Sequence, residues 1–375
     1  MEGQGKTPNQ RAALPLVAAP TIPGGSSDHF SRLPDHLLVH ILLRIPTKKA
    51  VEMSALSRQW RGVWTQLPIL KFDGVESSVP AHALAVYRAH GGLDIHSFTV
   101  YTNQMDAQDA AAWLSLLAPL LTGRLYFDNT DDVSPETLQL LLQEEEAEVP
   151  RDAFELPCFK KATEIWMDLG FLCLAMPPAA VFDVLRVMWL ERFWFRGQFS
   201  LSDTMLPSLQ KLTIRRVRGL PLMNGLPLLM EGIIIPYVKV LWLYLETNGH
   251  VYEGRVLQLL TKCSGITELN LSFQVRDEVQ DFCLPDCICH NESGIWEAKV
   301  VLMRALKNVD IANFHGSPRE VHIVEQLVRR VPRLEVLRVF SNVTDHSLEG
   351  IPCLCPPGCN FHIYYWDNRS KEWNN

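Results

Sequence analysis

In LPDHLLVHILLRIPTKKAVEMSALSRQWRGVW, Leu33 to Trp64, apolar residues recur at helical spacing and are broken twice by helix-ending chemistry. Pro34 suits the first turn of a helix, where its missing N–H costs nothing, and Asp35 meets the positive end of the dipole. Leu37, Leu38, Ile41, Leu42 and Ile45 then follow at helical intervals, and Pro46 stops that helix. Thr47 can cap a second helix in which Val51 and Ala55 share a face, and Ser57 can cap a third. On the third, Trp60 and Trp64 stand one turn apart, a large apolar payload for so short a segment. A unit of roughly 35 residues buries too little surface to offset its chain entropy. It must dock on the rest of the chain or bury its faces in a partner.

Downstream, the pattern apolar-x-x-apolar-x-apolar keeps returning in strand-like pieces. It reads Ile95/Phe98/Val100, then Leu125/Phe127, Ala162/Ile165/Met167, Leu185/Met188/Leu190 and Leu209/Leu212/Ile214. It continues as Val238/Leu241/Leu243, Ile266/Leu269/Leu271, Leu306/Val309/Ile311 and Leu334/Leu337/Val339, and closes weakly at Phe361/Tyr364. The spacing, mostly roughly 23 to 29 residues with two steps near 40, is that of leucine-rich repeats carrying insertions. Each unit offers a strand whose apolar side only its neighbours can cover, so the units are expected to stack into an irregular leucine-rich-repeat solenoid. Connecting runs such as PETLQLLLQEEEAE and EVHIVEQLVRRV read as helices, the acidic end of the first (Glu144, Glu145, Glu146, Glu148) as a solvated face. Residues 1–27 are Gly-, Pro- and Ser-rich without periodicity and are expected to be a disordered leader.

Composition closes off several functions. The 375-residue chain is 47% hydrophobic, carries a net charge of −7 and has a pI near 6.0, which argues for a folded protein and against general phosphate-backbone binding. It has no apolar run long enough to span a membrane, and AALPLVAAP is broken by Pro15 and Pro20 as a signal core. Nine scattered cysteines point to free thiols in a reducing compartment, cytoplasmic or nuclear. GQGKT at 3–7 lacks the first glycine and preceding strand of a phosphate loop, and no G-x-S-x-G or H-E-x-x-H is present. FCLPDCICHNES places Cys283, Cys287, Cys289 and His290 together, and Cys353, Cys355 and Cys359 follow later. Cys287 and Cys289 are too close in sequence to share a tetrahedral ion comfortably, so no metal or other cofactor is expected.

The first module resembles the plant form of the F-box: an LPD start (Leu33–Asp35), the central IPTK (Ile45–Lys48), and a closing LSRQW…W that ends at Trp64. Its one departure is His36, where relatives carry a small or acidic residue. The stretch Leu306 to Val339 is similar to the FBD segment that ends many plant F-box/leucine-rich-repeat proteins. The fold class implied is α/β: a three-helix F-box over 28–72, irregular leucine-rich repeats over 73–299 and FBD-like terminal repeats over 300–375. The function implied is that of a non-catalytic receptor. The F-box would bind a Skp-family adaptor, and through it cullin and RING subunits, while the repeats hold an unknown target protein for ubiquitination. The alternative is a repeat scaffold that acts outside a ligase.

By the same resemblance, Leu33, Pro34, Leu37, Ile41, Leu42, Pro46, Leu56, Trp60 and Trp64 form the adaptor interface or its support. Trp60 is expected at the interface and exposed in the chain alone, with Trp64 as its brace. Among the repeats, Trp166, Trp189 and Trp242 occupy x positions that face away from the core. They form either an exposed row of indoles for a target or a layer packed under an inserted segment.

Overall fold

A computed structural model describes residues 33–53, 58–130, 152–195, 201–218, 235–246, 259–260, 262–263, 265–274, 302–341, 348, 350–367 and 372–374. The leader, the acidic run, the Cys283–His290 cluster and Leu56 lie outside these residues. So does Ser57, the proposed cap of the third helix.

Three short helices open the described chain: α1 (Asp35–Leu42), α2 (Thr47–Met53) and α3 (Arg58–Val63), the last running into a 3-10 turn at Trp64–Gln66. Pro34 stands just before α1 and its carbonyl accepts the Leu37 and Leu38 N–H groups. Leu38 and Leu42 face inward. Thr47 does not cap α2 with its side chain. It is the first helical residue, and its hydroxyl accepts the backbone N–H of Lys71 at 2.7 Å. That bond ties the helical module to the edge of the sheet that follows.

Among the described residues the remainder is one 13-stranded open sheet. Its strands are β1 (Ile69–Phe72), β2 (Ile95–Tyr101), β3 (Leu121–Asp128), β4 (Ala153–Glu155), β5 (Glu164–Ala175), β6 (Val187–Phe195) and β7 (Lys211–Arg218). They continue as β8 (Val240–Glu246), β9 (Glu268–Gln274), β10 (Asn308–Phe314), β11 (Val336–Ser341), β12 (Asn360–Asp367) and β13 (Glu372–Asn374). Neighbours along the sheet follow chain order and pair in parallel, except that β13 closes antiparallel on β12 and β4 pairs only with the second half of β5.

The register turns the sequence pattern into two apolar columns. One runs Leu70–Phe98–Leu125–Ile165–Met188–Leu212–Leu241–Leu269–Val309–Leu337–Phe361, every step a direct register pair. The second lies two residues on, from Phe72 to Ile363. Alternation sends both columns to the same face, where they are buried up to the last strand. Two details differ from the sequence reading. The final unit uses Ile363, and Tyr364 points the other way. A first unit, Leu67/Leu70/Phe72, precedes the series and forms the edge strand β1.

Parallel neighbours need crossovers, and these cover the apolar face. α4 (Val79–Ala89) and α5 (Ala107–Leu117) serve the first strands, and α6 (Pro318–Arg330) joins β10 to β11. A last short helix, α7 (Ile351–Leu354), leads into β12. Under α4 and α5 the rings of Phe72, Phe98, Trp113 and Phe127 pack in sequence at centroid distances of 5.6, 5.6 and 5.1 Å. Asn129, buried at the end of β3, accepts from Thr102 Oγ1 (2.9 Å) and Met105 N (2.7 Å). Its amide donates to the carbonyls of Met105 (3.0 Å) and Leu169 (3.3 Å). One side chain thereby ties the end of β3 to the loop after β2 and to β5. Among the described residues, no helix is long and apolar enough to cross a membrane.

Candidate functional site

The helical module divides its apolar residues between two sides. Inward go Leu38, Leu42, Ala50, Trp60, Val63 and Trp64. Trp60 is 5% exposed and Trp64 1%. The Trp64 indole meets the Tyr87 ring of α4 edge-on at 5.8 Å. The Tyr87 hydroxyl donates to the carbonyls of Leu67 (3.2 Å) and Leu93 (3.0 Å), and burial pushes its pKa up to about 12. The expectation of an exposed Trp60 is therefore corrected. Both indoles belong to the core that docks the module on α4, because the first repeat supplies the apolar partner that so small a unit needs.

Outward, Pro34 just before α1 and Leu37 and Ile41 on it lie at intervals of three and four, with Pro46 exposed where the chain turns into α2. Leu37 is 41% exposed, neighbouring Leu43 is 40% exposed, and Ile41 and Leu33 are half-buried. What sets Leu37 apart from other exposed apolar residues is its place next to Pro34 and Ile41 on one side of the module, a contiguous apolar patch of the kind that contact surfaces use. His36, His40, Arg44, Lys48 and Lys49 are exposed on the same module, where Glu52 is bonded to Lys49 at 2.7 Å. The module thus offers an apolar stripe with a basic border. Of the sequence candidates, Pro34, Leu37, Ile41 and Pro46 share the outer side, with Leu33 at its margin. Leu42, Trp60 and Trp64 support them from beneath.

The second surface is the face of the sheet opposite the columns. There the register aligns Tyr126, Trp166, Trp189, Thr213, Trp242, Asn270, Asp310 and Arg338 in one row. Trp166 and Trp189 stack at 4.9 Å and 23°, and Trp189 approaches Trp242 at 6.3 Å. The three candidate tryptophans form one half-buried ladder. Carboxylates orient two of the rings: Trp166 Nε1 donates to Glu164 (3.2 Å), and Trp189 Nε1 donates to Glu191 (3.3 Å).

Beside the ladder lies a charged cluster that the sequence pattern did not predict. Leu190 faces the core and Glu191 faces away, so alternation would send Arg192 inward. Instead Arg192 takes a left-handed backbone (φ 48°) and bonds Asp168 through both its Nε (2.7 Å) and Nη2, and Thr130 at 3.0 Å. Arg216 on β7 and Asn313 on β10 make similar kinks (φ 50° and 53°). Three guanidinium groups converge on Glu191 Oε1: Arg192 at 3.5 Å, Arg215 at 3.3 Å and Arg216 at 3.3 Å. Burial, aided by Arg216, holds the Arg192 pKa down at about 10. A polar residue in a position of apolar parity, arginine at 192 and 216 and asparagine at 313, is a signal that could have marked these kinks.

Among the described residues no group of three or more His, Cys, Asp or Glu is arranged to hold a metal. Cys355 and Cys359 share a thiol hydrogen bond, and burial raises the Cys355 thiol to about 12.

Residues 30–72 match the F-box domain family, so the apolar stripe sits on an F-box. The wider chain is similar to several proteins of Arabidopsis thaliana. A putative F-box/FBD/LRR-repeat protein is 38% identical over 379 residues, covering 92% of this chain and 84% of that protein. A second F-box/FBD/LRR-repeat protein is 25% identical, covering 93% of this chain and 78% of its own length. A third, again putative, is 24% identical over 87% of this chain and 72% of the relative. The chain belongs to the F-box/FBD/LRR-repeat family of plant proteins.

Proposed function

We propose that this protein is the substrate-recognition subunit of a Skp–cullin–F-box ubiquitin ligase. The observation that carries the reading is the outer stripe of the F-box, Pro34, Leu37, Ile41 and Pro46. Pro34, Leu37 and Pro46 are exposed and Ile41 is half-buried, while Leu38, Leu42, Ala50, Trp60, Val63 and Trp64 are buried in the core that meets α4 through Trp64 and Tyr87. A Skp-family adaptor would cover that stripe and link the chain to cullin and RING subunits. The sheet, read as an irregular leucine-rich-repeat solenoid with FBD-like repeats from about residue 300, would hold the target on its ladder face. Chemistry on the target would come from the ligase, and this chain would supply proximity: tethering raises the local concentration of target lysines at the conjugating enzyme. The free cysteines at 158, 173, 263, 353, 355 and 359 suit a reducing cytoplasmic or nuclear setting.

Co-purification with a Skp-family adaptor tests the reading. Wild-type chain should retain the adaptor through washing, and Leu33→Ala with Pro34→Ala should lower retention. Failure of the wild-type chain to retain any adaptor would instead favour a repeat scaffold working outside a ligase.

A further inference from the structure

Strand β7 departs from the ladder around it. Its register neighbours place Thr213 between Trp189 and Trp242. Two strand spacings span about 9.6 Å, yet the two rings lie 6.3 Å apart, so they lean together over the shorter side chain. Thr213 is 0% exposed, and among the described residues its hydroxyl makes no hydrogen bond. On the same face two residues further on, Arg215 Nε is also buried without a hydrogen bond, although it stands at ion-pair distance from Glu191. Two residues the other way, Lys211 rests its ammonium 4.0 Å from the Trp242 ring centroid, and Arg215 lies 4.8 Å over Tyr244. One strand therefore carries an ammonium, a hydroxyl and a guanidinium in a line, walled by aromatic rings.

All three groups can donate a hydrogen bond, and two of them have donors left over. An orphaned buried donor costs free energy that an acceptor in the right place returns. Glu191 fills that role only in part: its carboxylate takes Arg192, Arg216, the Trp189 N–H and Arg215 Nη1 at 3.5 Å, and leaves Thr213 Oγ1 and Arg215 Nε without a hydrogen bond. From this arrangement we infer that β7 recognises an acidic side chain of the target that follows a flat apolar residue. The apolar residue parts the leaning rings of Trp189 and Trp242, which uncovers Thr213, and the carboxylate then accepts from Thr213, Lys211 and Arg215. This inference rests on the sheet face being the target-binding face.

The test uses the full chain labelled with ¹⁵N-tryptophan and titrated with blocked hexapeptides Gly-Ser-Phe-Glu-Ser-Gly, their Phe-Gln forms and their Phe-Lys forms. Indole signals are assigned with W189F and W242F. The Phe-Glu peptide should shift Trp189 and Trp242 and bind about tenfold more tightly than Phe-Gln, the worth of one charged hydrogen bond. K211Q and T213V should each reduce that preference, and T213V should not lower the melting temperature, since it removes only an orphaned hydroxyl. Equal affinity for the three peptides, unshifted indoles, or a preference untouched in both variants would overturn the inference. Adaptor capture is measured on the same samples. Loss of peptide preference with capture intact refutes the β7 site alone, whereas loss of capture with preference intact refutes the ligase reading.

Discussion

Trp60 and Trp64 show what a single residue can and cannot disclose in sequence. Their spacing gives the helix, but their burial depends on Tyr87, which the chain brings in from α4. No local pattern reveals that contact. Trp64→Ala should cost about 3–5 kcal/mol through the cavity it leaves, read as a lower midpoint in urea unfolding. Any loss of adaptor binding in that variant should track the loss of folded module, which near-ultraviolet circular dichroism would report. Tyr87 makes a second, pH-dependent prediction. An unfolded tyrosine ionises near pH 10, whereas native Tyr87 keeps its proton to about 12. The native chain therefore binds more protons between these values, and stability falls as pH rises through that window. The loss amounts to at most about 3 kcal/mol. Thermal melts from pH 9 to 12 should show a steeper decline for wild type than for Tyr87→Phe; parallel curves would remove Tyr87 from the account.

Individual elements were the most legible part of the chain. The apolar spacing placed β2, β3 and β5 to β11, and missed the short β4, because each of the placed strands turns its alternate residues to one buried face, where burial demands an apolar side chain. The pattern failed at the sheet's margins. β1 is short, with Ile69 exposed, and β12 is only half covered, so selection for apolar residues weakens there. It also failed at the kinks of Arg192, Arg216 and Asn313, where a left-handed residue breaks the alternation on which the reading depends. Helix α6 shows local chemistry that can be tested in isolation. Ser317 accepts the Glu320 N–H at 3.3 Å, and Glu320 returns a bond to the Ser317 N–H at 3.0 Å, a complete capping box. Ser317→Ala should destabilise the chain by about 1 kcal/mol. Hydrogen exchange should accelerate first at the N-terminal turn of α6, and exchange unchanged there would mean that packing alone holds the helix.

At the scale of the whole molecule the two surfaces are proposed to serve separate partners and are joined by structure. The F-box is fixed to the sheet through Trp64 on Tyr87 and through the Thr47–Lys71 bond, so the proposed adaptor, bound on α1, would be held in a set relation to the first strands. The sheet then carries the aromatic ladder away from that end along β3 to β8. The F-box was legible because its punctuation by Pro34, Pro46 and the closing tryptophans is dense. The ladder was legible residue by residue, but its stacking was not, since it depends on registers between strands far apart in sequence. Affinity for a purified Skp-family adaptor separates the two proposed roles. Leu37→Asp places a charge in the apolar stripe without touching the core, and should weaken binding at least about tenfold with an unchanged melting temperature. Trp189→Ala on the sheet face should leave adaptor affinity as in wild type. Equal binding by wild type and Leu37→Asp, or an equal loss in both variants, would contradict the account.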